Sequence, residues 1–181
     1  MQQNRNIEIK AYHSKHKVIR AFLKNNGALF KGIDHQIDTY FAVKTGRLKI
    51  REGTIENSIV YYCRMNTSGP KLCRYTLLHF EQDDHVLKTL KDILTASIDV
   101  IAVVDKKREI YYINNVKIHL DTVKDLGTFV EIEAIETGNI GEVKLRKQCE
   151  YYVTELGIKK ENLVQVSYSD MMIELKNNTT S

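Results

Sequence analysis

Residues 129–134 read FVEIEA, and shortly before them residues 115–122 read NVKIHLDT. Both stretches alternate aliphatic with polar side chains, the spacing of a β-strand whose successive side chains point to opposite faces. Sorted by parity, Val130 and Ile132 oppose Glu131 and Glu133, while Val116, Ile118 and Leu120 oppose Lys117, His119 and Asp121. The same sorting extends along the chain. In 47–52 (RLKIRE), Leu48 and Ile50 oppose Arg47, Lys49 and Arg51; in 6–10, Ile7 and Ile9 oppose Asn6, Glu8 and Lys10. In 104–110, Lys106 and Arg108 alternate with Lys107 and Glu109. One sheet face is therefore aliphatic and suited to packing by helices. The other is densely ionisable, cationic on some strands and anionic on others.

Working outward, strand-like runs occupy 6–12, 36–44, 47–52, 58–65, 73–80, 100–113, 115–122 and 128–135, with turn-forming residues such as Thr45-Gly46, Ser68-Gly69-Pro70 and Asn114-Asn115 between several of them. Tight turns between short strands favour antiparallel pairing. Three segments have helical spacing. Residues 14–26 carry Val18, Ile19, Phe22 and Leu23 on one stripe, with Ser14 as a candidate cap and Gly27 as the stop. Residues 84–95 carry Val86, Leu87, Leu90, Ile93 and Leu94 after Asp83 or Asp84 as cap, and residues 140–156 carry Leu145, Cys149, Tyr152, Val153 and Leu156 before Gly157. The expected class is α+β in a single domain over residues 1–181, an antiparallel sheet with about three covering helices. Two fates remain open for the charged face. It can look at water, as many antiparallel sheets do. Alternatively, eight twisted strands can close into a barrel whose buried charges must be paired or bind something.

Composition narrows the functional classes. Hydrophobic residues make up 43% and charged residues 28% of 181, enough for one core that buries roughly 70% of the unfolded surface. The net charge of +4 comes from interspersed acids and bases, which argues against nucleic acid as the partner. Cys63, Cys73 and Cys149 form neither a disulfide framework nor a zinc spacing, so reduced thiols and a cytoplasmic location are expected. MQQNRNIEIK has no apolar centre of the secretory kind, and no apolar run is long enough to span a membrane. Cationic and acidic strands facing one lumen suit a polyphosphate with a divalent metal. Guanidinium and ammonium groups neutralise phosphate oxygens, and carboxylates supply hard oxygen ligands to Mg²⁺.

An ordered set of motifs carries a family resemblance: NIEIKAY at 6–12, QIDTYF at 36–41, GRLKIRE at 46–52, VYYCR at 60–64, SGPKLCRY at 68–75, VDKKREIYYI at 104–113, VKIHLDTVKDLGTFVEIEA at 116–134 and SYSDMM at 167–172. Over essentially its whole length the chain resembles the CYTH, or triphosphate tunnel metalloenzyme, superfamily, and in particular its class IV adenylate cyclase-like branch. The resemblance implies an eight-stranded antiparallel tunnel. ATP or another triphosphate would be bound by Lys10, Lys49, Arg51, Arg64, Lys106 and Arg108, with Lys10 and Arg108 at the chemistry. It implies Mg²⁺ or Mn²⁺ held by Glu8, Asp121 and Glu131, with Glu133 as the next acid on that face. The implied activity is conversion of ATP to cyclic AMP and pyrophosphate. Inorganic or thiamine triphosphate hydrolysis, or binding without turnover, is the alternative, and a homodimer is left open. One position departs from the family: where a Glu-x-Glu-x-Lys pattern is usual, this chain has Asn6, a neutral oxygen donor, so weaker metal binding is expected at that corner.

Several residues invite a stronger reading than their context supports. His119 shares parity with Asp121, but a strand histidine of this kind more often lines or hydrogen-bonds than catalyses. His13, His16, His35, His79 and His85 have no metal spacing. The pairs Tyr61-Tyr62 and Tyr111-Tyr112 each turn at most one ring inward, and packing is their default role. Asp38 and Tyr40 share a face and match the resembled family's strand motif, with a structural role open to both, while Gly127 permits a turn between two acidic strands.

Overall fold

The computed structural model describes residues 3–82, 85–138 and 140–179. Eight strands, β1 (Asn4–Tyr12), β2 (Leu29–Phe41), β3 (Arg47–Gly53), β4 (Asn57–Arg64), β5 (Lys71–Phe80), β6 (Val100–Ile113), β7 (Val116–Val123) and β8 (Gly127–Ile135), close into one antiparallel barrel. Around the barrel the order is β1-β5-β4-β3-β2-β6-β7-β8. Closure leaves no unpaired sheet edge. It also decides between the two fates of the ionisable face, which becomes a lumen.

Register is set by where aliphatic side chains find cover. Val116, Ile118 and Leu120 of β7, Val130, Ile132 and Ala134 of β8, and Ile7 and Ile9 of β1 point outward into one buried cluster. Two helices cover that cluster. α1 (His16–Asn25) contributes Ile19 and Leu23, and α3 (Glu142–Glu155) contributes Leu145, Cys149 and Tyr152. Burying each such Leu or Ile contributes roughly 1.5–3 kcal/mol, so the cluster holds β7, β8 and β1 in one alternation. α2 (His85–Ser97) covers the outside of the opposite wall, where Leu87 packs with Phe41 and Ile50.

The three expected helices form, α1 and α3 with trimmed ends and α2 running two residues further, to Ser97. Ser14 does not cap α1, which has Lys15 at its N-cap position and no side-chain capping bond. Gly27 at φ +68° ends it as expected. The Asp83 and Asp84 caps foreseen for α2 lie outside the described residues. A fourth helix, α4 (Tyr168–Thr179), was not foreseen. Its start is a reciprocal capping box: the Asp170 N–H donates to Ser167 Oγ at 3.1 Å, and the Ser167 N–H donates to Asp170 Oδ2 at 2.9 Å. Ser-Tyr-Ser-Asp at 167–170 is the sequence signal for that box. Met171, Met172 and Ile173 then pack against Tyr40, Tyr62, Val104, Val123 and Phe129, so α4 closes one end of the barrel. β2 is also longer than expected because its first half pairs with β6 through a register shift between Phe30 and Gly32.

Candidate active site

The lumen is a cavity of about 310 Å³ lined by seven basic and five acidic side chains. The basic ones are Lys10, Lys49, Arg51, Arg64, Lys106, Arg108 and Lys117; the acidic ones are Glu8, Asp38, Glu56, Glu131 and Glu133. That surplus of two cations favours an anionic occupant. All six basic residues expected from the sequence reach the cavity, as do Glu8, Glu131 and Glu133. Asp121 does not line it.

Asp38 organises one wall. Pairing of β2 with β3 sets Asp38 opposite Arg51, and Gln36 of β2 lies opposite Lys106 of β6. The buried Asp38 carboxylate accepts from Lys49 Nζ at 2.8 Å, from Lys106 Nζ at 2.6 Å, and from Arg51 through Nε at 2.8 Å and Nη2 at 3.1 Å. Despite the cost of burial, these cations hold Asp38 well below the usual carboxylate range. One carboxylate among three cations leaves them under-neutralised. Lys106 registers the imbalance: burial, aided by Arg51, Arg108 and Lys49, pushes its ammonium down to about 7 although Asp38 opposes the shift.

Arg108 organises the other wall. Across the β6–β7 pairing it faces Asp121, which accepts both arms of its guanidinium fork at 2.7 and 2.5 Å. The same guanidinium reaches Glu131 at 2.7 Å, and Glu131 also lies 3.6 Å from Lys10. Lys10 sits over the Tyr168 ring at 3.6 Å, and the Tyr168 hydroxyl donates to Asp121 at 2.8 Å. The first residue of α4 thus floors the lumen. Burial lowers the proton affinity of Lys10, and Glu131 only partly restores it. Glu8, opposite Lys71 and Glu133, pairs with Arg64 at 3.2 Å.

The group best arranged to hold a cation is His119, Glu131 and Glu133, whose donor atoms all lie within 4.8 Å of one another. Two carboxylates and an imidazole fit a divalent metal. Burial and the neighbouring Glu131 push Glu133 up to about 7, although Lys117 opposes the shift. His119 is held neutral, pushed down to about 3 by burial and Arg108. Asn6 donates to Glu133 at 3.3 Å, and its own carbonyl oxygen is buried without a partner among the described residues.

Sequence reading missed Glu56 as a lumen residue because it belongs to a turn. Asp34 anchors that turn by accepting the Ile55 and Glu56 N–H groups at 2.9 and 3.0 Å. Gly53 admits the close approach, since a Cβ there would lie 2.7 Å from an Asp34 oxygen and 2.6 Å from the Glu56 carbonyl oxygen. Glu56 then bridges Arg51 at 3.1 Å and Lys117 at 2.6 Å across the mouth opposite α4. An incoming anion competes with it for both cations. Glu56→Gln is expected to tighten tripolyphosphate binding on the order of tenfold, by removing a like charge at short range. Calorimetry on both proteins checks this, and equal affinities would exclude competition by Glu56.

Residues 4–168 match the family model for the CYTH domain. The chain belongs to the CYTH family. Among solved structures, a protein of Pyrococcus horikoshii is similar with 25% identity and a TM-score of 0.74, covering 92% of this chain and 99% of that one. An adenylate cyclase candidate of Vibrio parahaemolyticus shares the fold at 15% identity and a TM-score of 0.72, covering 93% and 98%. So does an adenylyl cyclase candidate of Hippeastrum, described as having a dominant triphosphatase activity, at 12% identity and a TM-score of 0.62, covering 96% of each chain. No curated protein matches the chain by sequence. Among the described residues, no helix of this CYTH protein is long and apolar enough to cross a membrane.

Proposed function

We propose that this CYTH protein is a metal-dependent enzyme acting on a nucleoside triphosphate inside its tunnel, converting ATP to cyclic AMP and pyrophosphate. The observation that carries the reading is the under-neutralised set of Lys49, Arg51 and Lys106 around Asp38, facing Arg108 and Lys10 across a closed lumen. A polyphosphate chain completes the neutralisation. The phosphates enter toward Tyr168, where Lys10 lies over the ring and Arg108 shares Asp121 with its hydroxyl, and the nucleoside stays toward the opposite mouth beside Leu77, Tyr112 and Ile135.

In the cyclase reaction the ribose 3′-hydroxyl oxygen bonds to the α-phosphorus, the α–β bridging P–O bond breaks, pyrophosphate leaves with the electron pair, and the hydroxyl proton ends on the pyrophosphate. Charge grows on the departing oxygens. Donors already fixed by Asp38 and Asp121 meet that charge without reorganising, where such stabilisation is most effective. Lys49, Arg51, Arg64 and Lys106 bind and orient the phosphates, Lys10 and Arg108 meet the charge that grows on the departing pyrophosphate, and the barrel wall excludes water. Glu131 and Glu133 would hold the divalent metal, Mg²⁺ or Mn²⁺, which supplies Lewis acidity when bound. Glu8 and Asp121, the other two acids of the family pattern, hold Arg64 and Arg108 in this arrangement.

Hydrolysis is the second reading. The α4 end of the lumen is floored by Tyr168, which sets a terminal phosphate deepest, beside Lys10. The same electrostatics would then serve water attack on the terminal phosphorus. Incubation with ATP, thiamine triphosphate or tripolyphosphate and either metal distinguishes the outcomes. Cyclic AMP with pyrophosphate is expected. Orthophosphate would give the second reading, and saturable binding with no product would make the protein a binding module.

A further inference from the structure

The acidic residues at the tunnel wall are not equally free to take a metal ion. Asp121 is held by both arms of Arg108 and by Tyr168, and Glu8 faces Arg64. Glu131 and Glu133 instead stand beside His119, because the β7–β8 pairing sets His119 opposite Glu131 and Lys117 opposite Glu133. His119 Nδ1 lies 3.5 Å from Glu131 Oε2 and 3.6 Å from Glu133 Oε1. Adjacent donors on an octahedral ion with bonds of about 2.1 Å are roughly 3.0 Å apart, so a contraction of about half an ångström brings each carboxylate oxygen to that spacing from the ring nitrogen.

A second observation points the same way. Both ring nitrogens of His119 are buried and lack a hydrogen-bond partner among the described residues. A buried polar atom left unpaired is costly, and a cation between the ring and the carboxylates relieves that cost at Nδ1. Arg108 shares Glu131 Oε2 at 2.7 Å, but a carboxylate oxygen has lone pairs for both.

We infer that His119 is a nitrogen ligand to the divalent ion held by Glu131 and Glu133, and that it makes the site select a first-row transition ion such as Mn²⁺ or Co²⁺ over Mg²⁺. The inference rests on the tunnel being a metal site, as proposed above, and goes further by naming the donor that sets metal choice. Imidazole suits first-row transition ions, whereas Mg²⁺ keeps oxygen ligands and its waters. The neutral Asn6, which brings no charge to the far side of Glu133, leaves the β7–β8 wall as the anchoring side.

The test uses Mn²⁺ alone on the full chain, without nucleotide. Electron spin-echo spectra of bound Mn²⁺ are expected to show ¹⁴N modulation that changes to the ¹⁵N pattern when only histidines carry ¹⁵N. His119→Gln, with its fold checked by circular dichroism, should lose the modulation, and its preference for Mn²⁺ over Mg²⁺ in competition should fall by about tenfold. If the variant does not fold, the labelled wild-type spectrum decides alone. Bound Mn²⁺ without nitrogen modulation, no saturable Mn²⁺ binding, or an unchanged preference in folded His119→Gln would overturn the assignment. Turnover is not read in this experiment. A protein that holds Mn²⁺ through nitrogen yet converts no triphosphate would keep this inference and remove the function proposed above.

Discussion

Asp38→Asn is expected to destabilise the protein by about 3–5 kcal/mol, the usual cost of removing one partner from a buried charge cluster. For a chain of this length that corresponds to a fall in melting temperature of roughly 10 °C. The cause is specific: Lys49, Arg51 and Lys106 converge on this carboxylate, and an amide of the same shape leaves them to repel one another. The same repulsion predicts a rescue. Tripolyphosphate should raise the melting temperature of Asp38→Asn more than that of the wild type, because an anion takes over the missing charge. Thermal melts with and without the anion measure both effects. A variant that melts like the wild type would show that Asp38 does not organise that wall.

Arg108→Ala should reduce kcat/KM for whichever triphosphate the proposed assay finds turned over by about 10²–10³-fold, the loss typical of one preorganised donor at developing charge. Arg108→Lys should recover only part of it. Lysine keeps the charge but cannot bond both Asp121 oxygens and Glu131 at once, as the guanidinium does at 2.7, 2.5 and 2.7 Å. Steady-state kinetics on all three proteins supply the comparison. Activity of the alanine variant within about threefold of wild type would remove Arg108 from the reaction, since the expected loss is far larger.

Much of this architecture is legible in alternation alone. Parity assigns Lys49 and Arg51, Lys106 and Arg108, and Glu131 and Glu133 to one face, and all six line the lumen. The period is local, so each strand reports its own faces. Which inward groups meet is a different kind of information. Asp38 has its role left open by its own strand, because its partners Lys49, Arg51 and Lys106 arrive from β3 and β6. Asp121 reads as one more acid on the charged face, and only the β6–β7 register shows it engaged by Arg108. Glu56 lies on a turn, where parity has no meaning, and it acquires Lys117 only through closure. α4 lacks a clean apolar stripe because it packs through Met171, Met172 and Ile173 at a barrel end rather than along a flat sheet.

Closing the barrel has a consequence for how the molecule is made. β1, the first strand of the barrel to be made, pairs with β5 and β8 and with no strand nearer in the chain. At ordinary translation speeds of about 5–20 residues per second, the last of those partners emerges on the order of ten seconds after β1. Until β8 and then α3 are made, Ile7 and Ile9 have at most β5 beside them and an incomplete cluster to cover them. A nascent chain stalled before residue 127 is therefore the species on which chaperones should be found, and extension until both β8 and α3 have left the exit tunnel should free it.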